Sequence, residues 1–304
     1  MYPRRFLPAL LLCVAPCVTF AQTVYFAQPP TTPQAAPMTA AEQKNVDFVL
    51  NWWREVIEAR HTELAANYQA EDYIQHNPNV PTGRAAFVKF FSSLGPPSNP
   101  IPEKLTRPPV VRGAKDSVVW LIFQEEGRDP HDGLKRLYAS SFDLVRMENG
   151  KVQEHWDSAR KRPGSPVFVP STAAPPSRWI TSKPTPEEER NLAIATQLLK
   201  DVYQYGHVEL LDGIVAPDFI QHNPTVPDGR DGLKQLISHK PELAGQTIRP
   251  EWKHAPVLQF ANGPYVVTMW EHKDADPSDP AWEYTRNYFE VVRIESGLIK
   301  EDWN

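Results

Sequence analysis

Apolar side chains recur at helical spacing in two stretches of the chain. The first stretch carries Val46, Val49, Leu50, Trp53, Val56 and Ile57, and the second carries Leu192, Ala195, Leu199, Val202 and Tyr203. Before each stretch stands a threonine with a glutamate three residues later, Thr39 with Glu42 and Thr185 with Glu188, which is the pattern of a capping box. The spacing predicts two amphipathic helices that start 146 residues apart (185 minus 39).

Strand-like residues follow each helical stretch. They occupy positions 117–124, 137–147 and 152–157 in the first half, and positions 265–272, 284–294 and 299–304 in the second half. A short turn joins the last two runs of each half, and the Asn149-Gly150 pair in the first turn is a strong hairpin signal. Helices followed by an antiparallel meander predict the α+β class, with the helices covering one face of a sheet.

One segment of twelve residues occurs twice. Residues 73–84 read YIQHNPNVPTGR and residues 219–230 read FIQHNPTVPDGR, with nine of the twelve positions identical. A match this dense indicates an internal duplication. We therefore predict two similar domains, at residues 39–162 and 185–304, joined by a proline-rich linker at residues 163–184.

The N-terminal residues have the pattern of a secretion signal. Arg4 and Arg5 precede a short apolar run, and Ala21 is suited to cleavage. We predict a signal peptide at residues 1–21, a proline-rich leader at residues 22–38, and a periplasmic or secreted mature protein. Both cysteines, Cys13 and Cys17, lie in the signal, so the mature chain would have no disulfide; a lipid anchor at Cys17 is the alternative. The apolar run is shorter than the ~20 residues of a spanning helix, so we expect no transmembrane span in the mature chain.

Charge and residue spacing argue against two kinds of partner. The chain of 304 residues has a formal net charge of −5, whereas a nucleic-acid-binding protein needs a basic face. The predicted mature chain has no thiol, and its histidines do not show metal-ligand spacing on one element. We expect neither nucleic acid nor a metal.

The duplicated segment and the closing hairpins resemble a known family. A helix-rich start, an IQHNP segment and a hairpin ending in EHWD at residues 154–157 are similar to SnoaL-like proteins of the nuclear transport factor 2-like superfamily. The resemblance covers both halves and implies two tandem cone-like domains, each a curved antiparallel sheet wrapped by N-terminal helices. It also implies an apolar pocket, an aspartate that acts as acid/base, and no metal or organic cofactor. Relatives include polyketide cyclases, ketosteroid isomerases, dehydratases and epoxide hydrolases, and many members have no known activity.

The candidate acid/base residues lie in the last strand of the first half. Because alternate strand residues share a face, His155 and Asp157 are expected to point one way and Trp156 the other. In an apolar cone, Asp157 would serve as acid/base while His155 and His76 orient or polarise a carbonyl compound. The alternatives are a structural polar pair for His155 and Asp157, and a turn held by side-chain hydrogen bonds for His76.

The second half keeps only part of this set. Asp302 stands at the position of His155, and Asn304, which cannot take up a proton, stands at that of Asp157. Catalysis is therefore expected in the first half. The residues expected to bind ligand are His222, His272, Asp302, Asn304, Trp120 and Trp270, whereas Trp53, Trp156 and Trp303 are expected in the core.

Two functions from different classes remain open at this point. One is an exported SnoaL-like enzyme that performs aldol cyclisation, isomerisation or dehydration on a small apolar carbonyl compound. The other is a binding module that holds a hydrophobic small molecule without converting it, and a structural domain without a cavity is a third possibility. The two domains are expected to pack as an intramolecular pseudo-dimer.

Overall fold

The computed structural model describes residues 30–129, 136–165, 178–243 and 246–304. The predicted signal peptide with Cys13 and Cys17, the start of the leader and the middle of the linker lie outside the described residues. Within the described ranges, no helix has the length and apolar content needed to cross a membrane.

Each half of the described chain places helices before most of its strands. The first half contains β1 (Gln34–Ala35), α1 (Ala40–Trp52), α2 (Ala65–Tyr68), β2 (Gln69–Gln75), α3 (Arg84–Ser93), β3 (Val111–Lys115), β4 (Val118–Arg128), β5 (Arg136–Glu148) and β6 (Lys151–Asp157). The second half contains α4 (Pro186–Thr196), α5 (Leu211–Ile214), β7 (Val215–Gln221), α6 (Arg230–Ser238), β8 (Leu258–Asn262), β9 (Tyr265–Asp276), β10 (Asp279–Glu295) and β11 (Leu298–Trp303). The predicted α+β class is confirmed.

The strands form two separate sheets. The first sheet has the order β1-β3-β4-β5-β6-β2, and the second has the order β7-β11-β10-β9-β8. The meanders β3–β6 and β8–β11 are antiparallel, whereas β2 and β7 lie parallel to the last strand of their own sheet. The six strand runs expected from the sequence correspond to β4, β5, β6, β9, β10 and β11.

Both predicted capping boxes are present. At the start of α1, Thr39 Oγ1 accepts the Glu42 N–H at 3.3 Å while Glu42 Oε2 accepts the Thr39 N–H at 2.8 Å. The start of α4 has the same two bonds between Thr185 and Glu188, at 3.2 and 2.9 Å. Each box satisfies two backbone donors that the first helical turn would otherwise leave unpaired.

Both faces of each sheet are buried. One face packs beneath the helices of its own half, in two clusters that include Val145 and Val292. The other face packs against the other sheet in a core between the sheets, here called the intersheet core. Its members include Trp120, Ile122, Leu144 and Trp156 from the first sheet, and Phe260, Val267, Met269 and Trp303 from the second. A side chain therefore belongs either to a helix-facing site or to the intersheet core, according to its position in the strand alternation.

Part of the predicted leader lies between the halves. Thr31 Oγ1 accepts a hydrogen bond from Trp303 Nε1 at 3.1 Å and lies 3.0 Å from His222 Nδ1. Gln34, in β1 at the edge of the first sheet, donates to Glu301 of the second half at 3.2 Å. The leader thus links the two sheets by side-chain hydrogen bonds.

Candidate functional site

The register of the β5–β6 hairpin decides which side chains meet beneath the first-half helices. Asp143 pairs with Asp157 across the two strands. Val145 pairs with His155, and it packs beneath the helices. Because alternate residues share a face, all four side chains lie on the helix-facing side, whereas Trp156 lies in the intersheet core. The structure therefore brings His155 and Asp157 together and adds Asp143.

Both ring nitrogens of His155 have a hydrogen-bond partner. Nε2 lies 2.8 Å from Asp143 Oδ1, and Nδ1 lies 3.0 Å from Gln75 Nε2. The carbonyl oxygen of Gln75 accepts the Asn77 backbone N–H at 3.0 Å, which leaves the amide nitrogen facing the ring. An amide nitrogen only donates, so the neutral ring accepts at Nδ1 and donates its Nε2 proton to Asp143. His155 thereby positions the Asp143 carboxylate.

Burial changes the acidity of this pair. Burial raises the pKa of Asp143 to about 6, although the hydrogen bond and the charge of His155 act in the opposite direction. Burial lowers the pKa of His155, but the hydrogen bond and the charge of Asp143 outweigh it, so that pKa is raised from its ordinary value. A carboxyl group with a pKa near neutrality can exchange protons efficiently at working pH.

Asp157 is more constrained than Asp143. Its Oδ2 accepts from Asn77 Nδ2 at 2.7 Å, and its Oδ1 accepts the Ala159 backbone N–H at 3.0 Å. Its backbone carbonyl accepts from Asn287 Nδ2 of the second half at 3.2 Å. Both carboxylate oxygens are thus already paired.

A small pocket opens beside Asp143. Its volume is about 140 Å³, and its lining includes Trp53, Phe123, Ser141 and Asp143. The rings of Trp53 and Phe123 stack with centroids 5.0 Å apart and form an apolar wall. Pockets for drug-sized ligands have volumes of roughly 300–1,000 Å³. This pocket therefore fits a molecule of few heavy atoms, or one end of a larger one.

The placement of Trp53 at this wall corrects the sequence-based expectation. Trp53 is half-buried, and the fully buried position in the helical core belongs to its neighbour Trp52. A π-helical turn, Trp53–Glu58, continues α1 and adds a residue per turn, which displaces the apolar stripe from regular helical spacing. Trp156 and Trp303 lie in the core, as predicted.

His76 lies on the other side of the sheet from His155 and Asp157. Its Nε2 lies 2.8 Å from Glu154 Oε1, and its ring stacks on Trp156 with centroids 4.7 Å apart. Trp156 belongs to the intersheet core. The sheet thus separates His76 from the acid/base pair it was expected to join.

One group among the described residues has the spacing of a metal site. The potential ligand atoms of Asp143, His155 and Asp157 all lie within 4.8 Å of one another. A metal at His155 Nε2 would require the ring proton to move to Nδ1, where the Gln75 amide nitrogen cannot accept it. The Gln75 amide beside the ring therefore suits a proton between His155 and Asp143 better than a metal ion.

The second half places a carboxyl pair at the corresponding point. Val292 of β10 pairs with Asp302 of β11, which sets Glu290, two residues along β10, on the same helix-facing side. Asp302 Oδ2 accepts from Gln221 Nε2 at 3.1 Å. Asn304 Oδ1 accepts from the Asn223 side chain at 2.7 Å. Burial raises the pKa of Asp302 to about 7 and that of Glu290 well above its ordinary value.

Two residues expected to bind ligand lie in the intersheet core. His222 Nε2 lies 3.0 Å from Glu301, and its ring stacks on Trp303 at 4.6 Å. Trp120 is 2% exposed and donates its Nε1 hydrogen bond to Asn262 at 3.0 Å. The expectation that Trp120 lines a pocket is wrong, because the even-numbered positions of β4 face the second sheet.

The two other aromatic candidates lie nearer the surface of the second half. Trp270 is half-buried, and its Nε1 donates to the His254 carbonyl at 3.3 Å. His272 is exposed and contacts the Tyr288 ring, with centroids 4.7 Å apart. Both share the helix-facing side of β9 with Val266, so they lie on the same side of the sheet as Asp302.

A larger cleft lies away from both pairs. It has a volume of about 600 Å³ and includes Thr39, Thr185, Glu42, Glu188 and Lys115 in its lining. Lys115 is already paired with Glu188 at 2.8 Å, and the two capping boxes use the other groups. The smaller pocket, which reaches Asp143, is therefore the better candidate for chemistry.

Comparison with known proteins finds one family match. Residues 195–302 match the SnoaL-like domain. No curated protein matches the chain. Among solved structures, a candidate polyketide cyclase from Acidithiobacillus ferrooxidans is 16% identical, with 40% of this chain and 89% of that chain covered and a TM-score of 0.29.

Two other solved structures have similarly low sequence identities and TM-scores. TsrD from Streptomyces laurentii is 17% identical, with 40% of this chain and 90% of that chain covered and a TM-score of 0.27. An LEH-like epoxide hydrolase from M. tuberculosis is 9% identical, with 38% of this chain and 83% of that chain covered and a TM-score of 0.28. These structural likenesses are too weak to bear on function. The family match covers residues 195–302, and this part of the chain is similar to the SnoaL-like domain.

Proposed function

We propose that the protein is a small-molecule enzyme that performs acid/base chemistry on a carbonyl compound in the first-half pocket. The observation that carries the proposal is a buried Asp143, positioned by His155, in the wall of a pocket lined by Trp53 and Phe123. A SnoaL-like domain supports a small-molecule binding or catalytic role. The family match lies in the second half. We extend the proposal to the first half because the two halves share a segment of twelve residues.

Asp143 is the proposed general base. It lines the pocket, and its pKa of about 6 leaves most of it ionised at neutral pH while keeping it basic enough to accept a proton. Asp157, the base expected from the sequence, has both carboxylate oxygens paired. We therefore assign Asp157 a supporting electrostatic role, in which its charge helps to keep the pKa of Asp143 raised.

The proposed step is removal of a proton from the carbon next to a carbonyl group. The C–H electron pair moves onto the carbonyl oxygen to form an enolate, and the proton moves to Asp143. Ser141, on the same face of β5 and also in the pocket wall, is an uncharged donor for that oxygen. Return of the proton to another carbon gives isomerisation. Attack of the enolate carbon on a second carbonyl carbon, whose oxygen then takes the proton back from Asp143, gives aldol closure.

Exchange of α-protons for deuterium tests this step directly. A panel of small ketones is incubated with the protein in deuterated buffer and followed by NMR. We expect the Asp143→Asn variant to lose at least about 100-fold of the exchange rate, the scale of general-base catalysis. The matched control is Asp218→Asn, at an exposed aspartate of the second half, which should exchange at the wild-type rate.

The competing function is a binding module for a hydrophobic small molecule. The small volume of the pocket and the complete pairing of His155 favour it. Ketones that bind, as shown by ligand line broadening, without any α-proton exchange would support this module. Exchange that is equal in the wild type and in Asp143→Asn would refute the assignment of the base.

We also propose that the chain is an exported tandem duplication that forms a pseudo-dimer within one molecule. The basic and apolar N-terminus supports export, and the shared segment of twelve residues supports duplication. The intersheet core supports the pseudo-dimer. An N-terminus at Gln22 in protein recovered from its host would support cleavage of a signal peptide, whereas retention of Met1 would refute it.

A further inference from the structure

The two sheets differ at one edge. β3 and β8 hold the same place in their hairpins, because a two-residue turn joins β3 to β4 and another joins β8 to β9. In the first sheet, β1 lies parallel to β3 and covers its outer edge. In the second sheet, β8 is the last strand, and no strand of the described residues lies beyond it. An edge without a partner strand is a template for pairing with another chain.

β1 shows which bonds such an edge can make. The Gln34 N–H donates to the Val110 carbonyl at 2.7 Å, and the Ala36 N–H donates to the Arg112 carbonyl at 2.9 Å. Two acceptors on alternate residues therefore hold an extended segment by its backbone. The segment that contains these donors, residues 31–37, reads TTPQAAP and carries no charge.

Val257 and Gln259 are the corresponding acceptors beside β8. The Val257 N–H donates to the Met269 carbonyl at 2.9 Å, which is the counterpart of the bond from Val110 to Ile122 at 2.8 Å in the first half. Within the described ranges, no backbone donor from outside the β8–β9 hairpin reaches the Val257 or Gln259 carbonyl. Both carbonyls can therefore accept hydrogen bonds from an added strand.

A groove runs along this edge, here called the edge groove. Its volume is about 340 Å³, and one wall is the edge itself, at positions 256–261. The opposite wall contains apolar side chains of the linker and of α4: Ile180, Pro184 and Leu192. The lysine in its lining, Lys115, is already paired with Glu188 at 2.8 Å. Because the groove has two walls, a single extended segment of small, uncharged residues fits it better than the edge of another sheet.

The linker segment that corresponds to β1 is held elsewhere. Ile180 precedes the capping threonine of α4 by five residues (185 minus 180), and Gln34 precedes that of α1 by the same number (39 minus 34). The N–H groups of Thr181 and Ser182 do not pair with β8 but donate to Asp116 Oδ2, at 2.6 and 2.8 Å. Asp116 lies in the turn between β3 and β4. The first half thus keeps the linker away from the β8 edge and leaves the edge groove open.

We propose that the edge groove binds an extended, uncharged segment of a partner protein, which adds to β8 as a parallel strand and donates backbone hydrogen bonds to the Val257 and Gln259 carbonyls. In strand addition of this kind, the main-chain bonds give affinity and the side-chain pockets give specificity. The apolar wall of Ile180 and Leu192 excludes charged side chains, because a charge there would lose its hydration without gaining a partner. This surface is separate from the pocket beside Asp143, so the proposal does not depend on the proposed function.

Amide hydrogen exchange, resolved by NMR on the chain from Gln22 onward, tests the free edge first. In a strand, the N–H and the carbonyl of one residue point to the same side, so the Gln259 N–H faces the edge groove. This N–H should exchange at least about tenfold faster than the Arg112 N–H, which β1 covers.

The probe for binding is a synthetic peptide with the sequence of residues 31–37, acetylated and amidated at its ends. At about 1 mM it should slow exchange of the Gln259 N–H at least about tenfold and leave that of the Arg112 N–H unchanged. A second peptide carries Gln34→Pro and therefore lacks one of the two donors that β1 uses. It should give no protection.

Two protein variants locate the binding. Pro184→Glu places a charge in the wall of the edge groove at an exposed position, so it should abolish the protection by the peptide without unfolding the chain. Pro102→Glu makes the same change at an exposed proline outside the groove and should respond to the peptide as the wild type does.

The same spectra can overturn the proposal. A Gln259 N–H that exchanges as slowly as that of Arg112 without peptide would refute the free edge, and protection that grows with protein concentration would assign the edge to a second copy of the chain instead. Absence of protection by the first peptide would refute strand addition. Equal protection by the Gln34→Pro peptide, or in the Pro184→Glu variant, would refute it as well.

Discussion

Replacement of Glu154 by glutamine should destabilise the protein much more than the same change at Glu148. Glu154 has no exposed surface, and it accepts from His76 Nε2 at 2.8 Å and from Arg146 Nε at 2.9 Å. Glu148 contacts the same arginine at 2.7 Å, but its side chain is 52% exposed. The two substitutions thus remove one charge each from the same network, one inside the protein and one at its surface.

The expected loss in free energy of unfolding follows from the number of hydrogen-bond donors that Glu154→Gln leaves without an acceptor. The single carbonyl oxygen of glutamine can serve His76 or Arg146, and its amide N–H then faces the other donor. Removing one partner of a buried pair costs ~3–5 kcal/mol, and the remaining bond from Arg146 to Glu148 offsets part of it. We expect Glu154→Gln to lose about 3 kcal/mol in free energy of unfolding and Glu148→Gln to lose about 0–1 kcal/mol.

Urea unfolding, followed by tryptophan fluorescence and by circular dichroism, measures both losses. The two probes should give the same midpoint if the intersheet core makes the halves unfold together. A loss below about 1 kcal/mol for Glu154→Gln, or equal losses for the two variants, would contradict the structural role of this network. In that case His76 would again be a candidate for orienting or polarising a carbonyl compound.

Two further predictions concern packing and pH. A Cβ at Gly113 would lie 2.5 Å from the Trp120 ring, so Gly113→Ala should lower the free energy of unfolding by at least about 1–3 kcal/mol. A Cβ at Gly127 would have no atom within 4 Å, so Gly127→Ala should unfold at nearly the wild-type temperature. Equal shifts in the thermal unfolding of the two variants would contradict this packing. The folded-state pKa of Asp143 is about 6, above the ordinary value of 3.8, so the native state binds more protons between these values and loses stability as pH rises through them. The loss should be about 2–3 kcal/mol between about pH 4 and pH 6. The raised pKa of His155 has the same sign, but its loss of stability falls above the ordinary value of 6.5. Asp143→Asn should flatten this part of the urea-derived stability profile, and an unchanged slope would refute the raised pKa.

The helix starts and the hairpin strands can be predicted from sequence because their signals are local. The capping boxes at Thr39 and Thr185 need only four consecutive residues each, and the Asn149-Gly150 turn fixes where β5 ends and β6 begins. The short strands β3 and β8 give no such signal. Each has five residues and depends on pairing with the longer strand beside it.

The partners of Asp143 could not be predicted from the sequence because of one β-bulge. Counting outward from the pair Met147–Val152 would set Asp143 opposite Trp156. The irregularity next to Met147 shifts the register by one residue, so Asp143 pairs with Asp157 instead. A single extra residue in β6 therefore decides whether Trp156 or the pair His155 and Asp157 shares the helix-facing side with Asp143.

The same division of faces explains why the intersheet side looks alike in both halves. His76 stacks on Trp156 at 4.7 Å and His222 stacks on Trp303 at 4.6 Å, and each histidine is paired with a glutamate. These residues hold the sheets together, so a change in one of them disturbs both halves. The sequence alone predicted a catalytic role for His76 and ligand binding for His222, and the likeness of the two histidines is accounted for by packing.

The helix-facing side has no such shared constraint, and there the halves differ. Substitution of a strand residue on the helix-facing side changes the proton-carrying groups and leaves the side chains of the intersheet core as they are. These groups are Asp143 with His155 in the first half and Glu290 with Asp302 in the second. The separation is not complete, because Asn287 of the second half donates to the backbone of Asp157 at 3.2 Å. The first-half site therefore depends on the second sheet for the position of its last strand, so a chain that lost its second half would lose a support of that site.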